Sequence, residues 1–155
     1  GMTINPEECD FAQEFTLLCK SLEQRVSEPS VKFITENPYS SLIVNIDKGR
    51  ISQVITNFLT NSVKYTHEGH IKLGYIVKDN GLRIYCEDTG SGIPKDKLEK
   101  IFERFFKVNE YIQGAGIGLS ICKAIVNKCK GKIGVESEEG KGSTFWIWVP
   151  CEIFI

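Results

Sequence analysis

The dipeptide Asn80-Gly81 stands between two apolar-rich runs, Ile71 to Lys78 and Leu82 to Glu87. Asn-Gly in that setting predicts a tight turn joining two antiparallel neighbours. A second pair of runs, Ile133 to Ser137 and Ser143 to Pro150, flanks a Glu-Glu-Gly-Lys-Gly turn and predicts another hairpin. Hairpins disfavour a doubly wound parallel sheet, because parallel neighbours need long crossovers. Strands of this kind bury one face, and the covering material has to be helical. The expected class is α+β: a two-layer α/β sandwich with a mixed, mostly antiparallel sheet and helices on one face.

The covering helices are legible from periodicity. Residues 9 to 25 return Phe11, Phe15, Leu18 and Leu22 at helical spacing, with Pro6 and Asp10 near the start. Arg50 to about Tyr65 predicts a long amphipathic helix with Ile51, Val54, Ile55, Phe58 and Leu59 facing the core. Ser120 to Lys130 predicts a third, with Ile121, Ala124, Ile125 and Val126 inward and Gly131 closing it. Val31 to Thr35 and Leu42 to Ile46 read as short strands about an Asn37-Pro38 turn. Pro94 is placed to open a short helix over Lys95 to Lys100. The tail from Cys151 to Ile155 is apolar.

With 155 residues and 41% hydrophobic content, one domain spanning 1–155 can bury a core without staples. Gly1 ahead of Met2 reads as a tag remnant on a domain taken from a longer chain. A net charge of −1 gives no reason to expect nucleic acid or an anionic membrane as partner. No run of eighteen apolar residues exists to span a bilayer. The six cysteines are scattered without a Cys-x-x-Cys, as expected of reduced cytosolic thiols. The two histidines, His67 and His70, fall in a turn.

Three stretches carry chemistry. On the long helix, Gln53, Asn57, Asn61 and Lys64 form one narrow polar stripe at about 100° per residue. Amide oxygens can ligate a hard cation and the lysine can meet phosphate, although the same stripe can also cap neighbouring loops. Asp88-x-Gly90-x-Gly92, directly after a strand, places a carboxylate where the chain turns. There it can accept from an exocyclic amine while glycine admits a flat ligand, though calcium loops and ordinary turns share the pattern. Gly114-Ala-Gly116-Ile-Gly118-Leu119 opens a helix and offers amides to an anion, without the residues of a Walker loop or a dinucleotide fingerprint. Between the last two, Phe102 and Phe105 suit a hydrophobic plug. Arg104 and Lys107 are the cations able to reach a terminal phosphate, and residues 107 to 113 suit a mobile lid.

Taken in order, the amide helix, Asp-x-Gly-x-Gly, Phe-x-Arg-Phe, Gly-x-Gly-x-Gly and final Gly-Lys-Gly-Ser-Thr-Phe strand resemble the ATP-binding catalytic domain of bacterial sensor histidine kinases. That domain belongs to the Bergerat-fold superfamily shared with gyrase, heat-shock chaperones and mismatch-repair ATPases. The resemblance covers the chain from its first helix to Pro150. It implies ATP and Mg²⁺ as cofactors. Asn61, helped by Asn57, would hold the metal; Lys64 would meet phosphate; Tyr65 would line the adenine site. Asp88, with Gly90, Gly92 and Ile93 beside it, would read the adenine amino group. Phe102 to Phe106, including Phe105, would form the aromatic box. Gly114, Ala115, Gly116, Ile117, Gly118 and Leu119 would form the second glycine box, with Ala115 and Ile117 where Thr and Leu are common. Ser143 and Thr144 stand where a hydroxyl supports the Asp and a bound water. Catalytic weight would fall on Asn57, Lys64 and Arg104.

The resemblance also implies partners and a reaction. ATP-hydrolysing members place a Glu four residues before the magnesium Asn, and here that position is Asn57, which cannot take a proton from water. Transfer of phosphate to a neutral imidazole is the expectation. No histidine lies in a helical His-Glu/Asp context, so the acceptor would be a helical-hairpin domain of the same protein, with a response regulator downstream. The fragment is expected to be monomeric, without membrane contact of its own, and cytoplasmic, its parent lying in the inner membrane. Two alternatives stand beside this: a degenerate nucleotide-binding or protein-interaction module of the same fold, and a serine kinase of the anti-sigma type. The segment between Phe106 and Gly114 is short and carries no second arginine.

Overall fold

The computed structural model describes residues 2–103 and 118–154. Along the chain run β1 (Glu7–Asp10), α1 (Phe11–Glu23), β2 (Val31–Glu36), β3 (Ile43–Ile46), α2 (Lys48–Tyr65), β4 (Gly69–Lys78) and β5 (Gly81–Asp88). A single 3₁₀ turn follows at Lys95–Lys97, then α3 (Gly118–Lys128), β6 (Lys132–Glu138), β7 (Gly142–Pro150) and β8 (Glu152–Phe154). The five-stranded sheet has the order β2-β4-β5-β7-β6, antiparallel throughout except for the parallel β2–β4 pair. A second sheet, β1-β3-β8, was not foreseen.

Alternation sorts the large sheet into two faces. Ile71, Leu73 and Tyr75 of β4, Leu82, Ile84 and Cys86 of β5, and Phe145, Ile147 and Val149 of β7 are buried under the helices. Their neighbours Arg83, Tyr85, Trp146 and Trp148 point to the uncovered face, where the Arg83 guanidinium lies 5.6 Å from both the Tyr85 and Trp146 rings. The expected layout of helices on one face therefore holds. α2 lies centrally, packed against α1 on one side and α3 on the other.

α1 and α2 each start where a side chain takes up one of the first free N–H groups. Asp10 accepts from Gln13 N at the head of α1, and Asp47 accepts from Arg50 N at 3.1 Å at the head of α2. Ile51, Val54, Ile55, Phe58 and Leu59 are buried as expected, and the stripe continues to Ser62. Phe58 packs on Phe145 of β7 with ring centroids 5.5 Å apart, locking α2 over the sheet.

Several local expectations needed correction. The two loop residues of the β4–β5 hairpin are Asp79 and Asn80, with φ of 50° and 57°, while Gly81 already pairs with Lys78. Both positive φ values match the twist of the flanking strands. Similarly, Lys130 takes the left-handed position after α3, with φ 62°. Gly131 is needed for another reason: a Cβ there would lie 2.2 Å from the Trp148 carbonyl. Ala124 is exposed and Cys122 is buried in its place. The helix expected over Lys95 to Lys100 shrinks to the turn at Lys95–Lys97. The apolar tail becomes β8, paired with β3.

Candidate functional site

The C-terminal half of α2, the end of β5, the loop after it and the start of β7 converge on one cleft. It is a narrow cleft, with Asn61, Asp88 and Ser143 as its polar lining and Tyr65, Ile93, Ile101, Leu119 and Phe145 as apolar walls beside Gly92. Few polar groups against apolar walls suit a flat, partly polar ligand.

Asp88 is the anchor. Register places it opposite Ile71 on β4 and Ser143 on β7, on the helix-covered face, and the residue is only 5% exposed. Its Oδ1 accepts from the amides of Gly90 at 2.9 Å and Ser143 at 3.3 Å. Its Oδ2 accepts from the Ser62 hydroxyl at 2.8 Å. Burial pushes its pKa above the ordinary carboxylate value, and these donors pull partly back. The Thr66 hydroxyl pulls the same way, yet it does not reach a hydrogen-bonding geometry with the carboxylate or any other group. A buried hydroxyl without a partner beside an open cleft marks a place for a ligand or a water.

The loop after Asp88 is held from two sides. Ser91 N donates to the Tyr65 carbonyl at 3.1 Å, and Gly140 N donates to the Ser91 carbonyl at 2.7 Å. The glycines serve these protein contacts, and Gly92 lines the cleft as well. A Cβ on Gly90 would lie 2.5 Å from the Tyr65 carbonyl, and one on Gly92, whose φ is 71°, 2.2 Å from that of Glu138. The β6–β7 turn is thus a buttress for the Asp88 loop.

The amide stripe faces the start of α3. Asn57 Nδ2 donates to the Gly118 carbonyl at 3.2 Å, which leaves its carbonyl oxygen as the donor atom for a cation. Asn61 stands one turn further on and lines the cleft. Lys64 is exposed and stands outside the cleft lining. Of the second glycine box, Gly118 is held by Asn57 and Leu119 lines the cleft. Arg104, Phe105, Gly114, Ala115, Gly116 and Ile117 lie outside the described residues. Among the described residues no cluster of three His, Cys, Asp or Glu side chains is placed to hold a metal.

Thr144 is a correction. It sits opposite Glu87 and Glu136 on the uncovered face of the sheet, so only Ser143 of the pair reaches Asp88. Three residues that matter were missed: Ser62, Thr66 and Ser137. Ser62 was detectable as the one hydroxyl continuing the apolar stripe of α2. Ser137 shares the inner face of β6 with Ile133 and Val135, which alternation alone could have shown.

Comparison with known proteins bears on this geometry. Residues 46–153 match the family model described as histidine kinase-, DNA gyrase B-, and HSP90-like ATPase. The sensor protein kinase WalK of Staphylococcus epidermidis is 38% identical over 129 residues, covering 78% of this chain and 21% of that protein. WalK of Staphylococcus aureus is 34% identical over 158 residues, covering 97% of this chain and 37% of that sequence. The chain thus spans a fifth to little more than a third of these relatives. Among solved structures, full-length ShkA in complex with AMPPNP superposes with a TM-score of 0.86 at 28% identity, covering 99% of this chain and 32% of that one. The nucleotide-free catalytic domain of histidine kinase ThkA gives 0.82 at 30% identity, covering 94% and 95%.

Proposed function

The chain belongs to the histidine kinase-, DNA gyrase B- and HSP90-like ATPase family, and from that premise we propose that it binds Mg-ATP and donates the γ-phosphate to a histidine on a separate helical-hairpin domain. In this reading it is the catalytic piece of a longer sensor kinase of a two-component pathway. The phosphorylated hairpin would pass its phosphate to a response regulator, and this piece would work as a monomer on the cytoplasmic side of the inner membrane. No helix among the described residues is long and apolar enough to cross a membrane.

The observation that carries the proposal is the Asp88 carboxylate, buried at the wall of an apolar cleft and held by Ser62, Gly90 and Ser143. An acceptor fixed there suits the exocyclic amine of adenine. Tyr65, Ile93, Ile101 and Leu119 supply the flat apolar surfaces a base requires. The donor set also fits a hard cation: Asn57 and Asn61 are neutral amides one helical turn apart on the same helix. Mg²⁺, when bound, supplies charge neutralisation to the phosphates. Lys64, exposed at the end of α2, is free to swing toward phosphate, and Arg104 is assigned the same task. Asn57 cannot act as a base toward water, which favours transfer over hydrolysis.

Titration calorimetry with a non-hydrolysable ATP analogue, with and without Mg²⁺, tests the first half. Micromolar affinity, about −8 kcal/mol, is expected for the wild type and its loss for Asp88→Asn. Asparagine would turn an NH₂ group toward the adenine amine, a donor facing a donor. A wild-type chain that binds no nucleotide would leave the fold as an interaction module. The second half rests on Asn57→Asp, expected to abolish transfer to a supplied hairpin while nucleotide binding persists; unchanged transfer would refute it.

A further inference from the structure

We propose that Ser137, which does not line the cleft, sets its nucleobase preference by fixing the direction of the Ser143 hydroxyl. The inference rests on the nucleotide reading above and deepens it.

Ser137 Oγ makes three contacts. It accepts from the Ile93 amide at 2.8 Å, it lies 3.0 Å from the Gly142 carbonyl, and it lies 2.8 Å from Ser143 Oγ. A hydroxyl has one proton and two lone pairs. A carbonyl can only accept, so the Ser137 proton goes to Gly142. The Ile93 amide takes one lone pair. The contact with Ser143 is then satisfied only if Ser143 is the donor. One proton arrangement meets all three contacts at once, and it is this one.

The consequence reaches the cleft. Ser143 lines it, next to Asp88, and its own amide already donates to Asp88 Oδ1. With its proton turned toward Ser137, Ser143 shows the cleft only lone pairs. The carboxylate of Asp88 is likewise acceptor only. Between them, Asp88 and Ser143 therefore accept and do not donate. Adenine presents an N6 amine there, whereas guanine presents the O6 oxygen, an acceptor. Ser137 acts through Ser143 and is a positioning residue. Without it, the Ser143 proton can rotate into the cleft and greet a carbonyl oxygen.

The test is competition binding of non-hydrolysable ATP and GTP analogues to the whole chain, read as the ratio of their affinities. Ser137→Ala should narrow that ratio by roughly fivefold, the scale of one neutral hydrogen bond, mainly by strengthening the GTP analogue. Ser137→Thr, which keeps the hydroxyl, should restore it. Ser143→Ala should narrow the ratio too, and adding Ser137→Ala to it should change the ratio no further. If Ser137→Ala folds poorly, Ser137→Cys, whose thiol is a much weaker partner for the Ser143 hydroxyl, should narrow the ratio in the same direction. An unchanged ratio in Ser137→Ala, or equal weakening of both analogues, overturns the role given to Ser137. Failure of the wild type to bind either analogue overturns instead the nucleotide reading on which it rests.

Discussion

The two ends of the cleft are built differently. At the Asp88 end the polar groups, the Thr66 hydroxyl apart, are wired into the fold: the carboxylate has three donors, and the loop beside it is clamped by Tyr65 on one side and Gly140 on the other. At the Asn57 end the described groups are sparsely tied. Asn57 makes one bond to Gly118, and Lys64 stands exposed. An end made of core residues is organised before any ligand arrives, so the ligand pays little there for ordering. An end of half-buried amides and one exposed lysine is organised by the ligand. Recognition of the base should therefore be rigid and coupled to stability, and handling of the phosphates should be neither.

The sharpest way to break this contrast is at the buttress. Gly142 has φ 121°, and a Cβ on it would lie 2.0 Å from the Asp88 carbonyl. Gly142→Ala should cost about 3 kcal/mol in denaturant unfolding and displace the Asp88 loop. A stability within about 0.5 kcal/mol of wild type would show the clamp to be slack.

Next in size is Ser62→Ala, which removes the donor to Asp88 Oδ2 from a buried carboxylate. About 2 kcal/mol should be lost at neutral pH. The pH dependence gives the sign. Asp88 has a folded pKa above its unfolded one, so its burial cost is absent at low pH and develops as pH rises through the folded value. The Ser62→Ala penalty should follow the ionised form, shrinking as pH falls below the folded pKa. Urea unfolding of both proteins across that range checks it.

Nucleotide binding should show the same proton from the other side. An adenine amine needs the ionised carboxylate, so affinity should fall as pH drops through the raised pKa. Ser62→Ala should move that fall to higher pH, because less holds the charge. Calorimetry against pH reads both midpoints; coincident curves would remove Asp88 from base recognition.

The smallest structural effect belongs to the other end. Lys64→Ala should change stability by less than about 0.5 kcal/mol. It should weaken an ATP analogue while leaving adenosine binding unchanged, a difference that separates phosphate contact from base contact.

How much of this was legible follows the same division. The core face of α2 was readable because five apolar residues keep one helical period, and the hairpins because their turns carry the residues that turns demand. β1 and β8 escaped notice: strands of four and three residues have no period to detect, and only pairing with β3 makes them strands. The Asp88 position was legible as a carboxylate at a strand end. Its support was not, since Ser62 and Ser143 come from elements 26 and 55 residues away. Thr144 was misplaced by motif position, where strand alternation argued the reverse. The glycines were visible as glycines, but which neighbour they yield to depends on how the β6–β7 turn meets the Asp88 loop.

The small sheet has a mechanical consequence. β1 and β8 both run antiparallel to β3, so they run parallel to each other on its two sides. β1 starts opposite Ile46, and β8 finishes opposite Ile43. Tension applied outward at the two flanks therefore draws β1 and β8 in opposite directions along β3. Ladder bonds lie across the strands and are loaded side by side in shear, sharing the pull. A zipper would break them one at a time. The five-stranded sheet that carries the cleft lies outside that line of force, so a tug on either flank meets a mechanical fuse before it reaches Asp88.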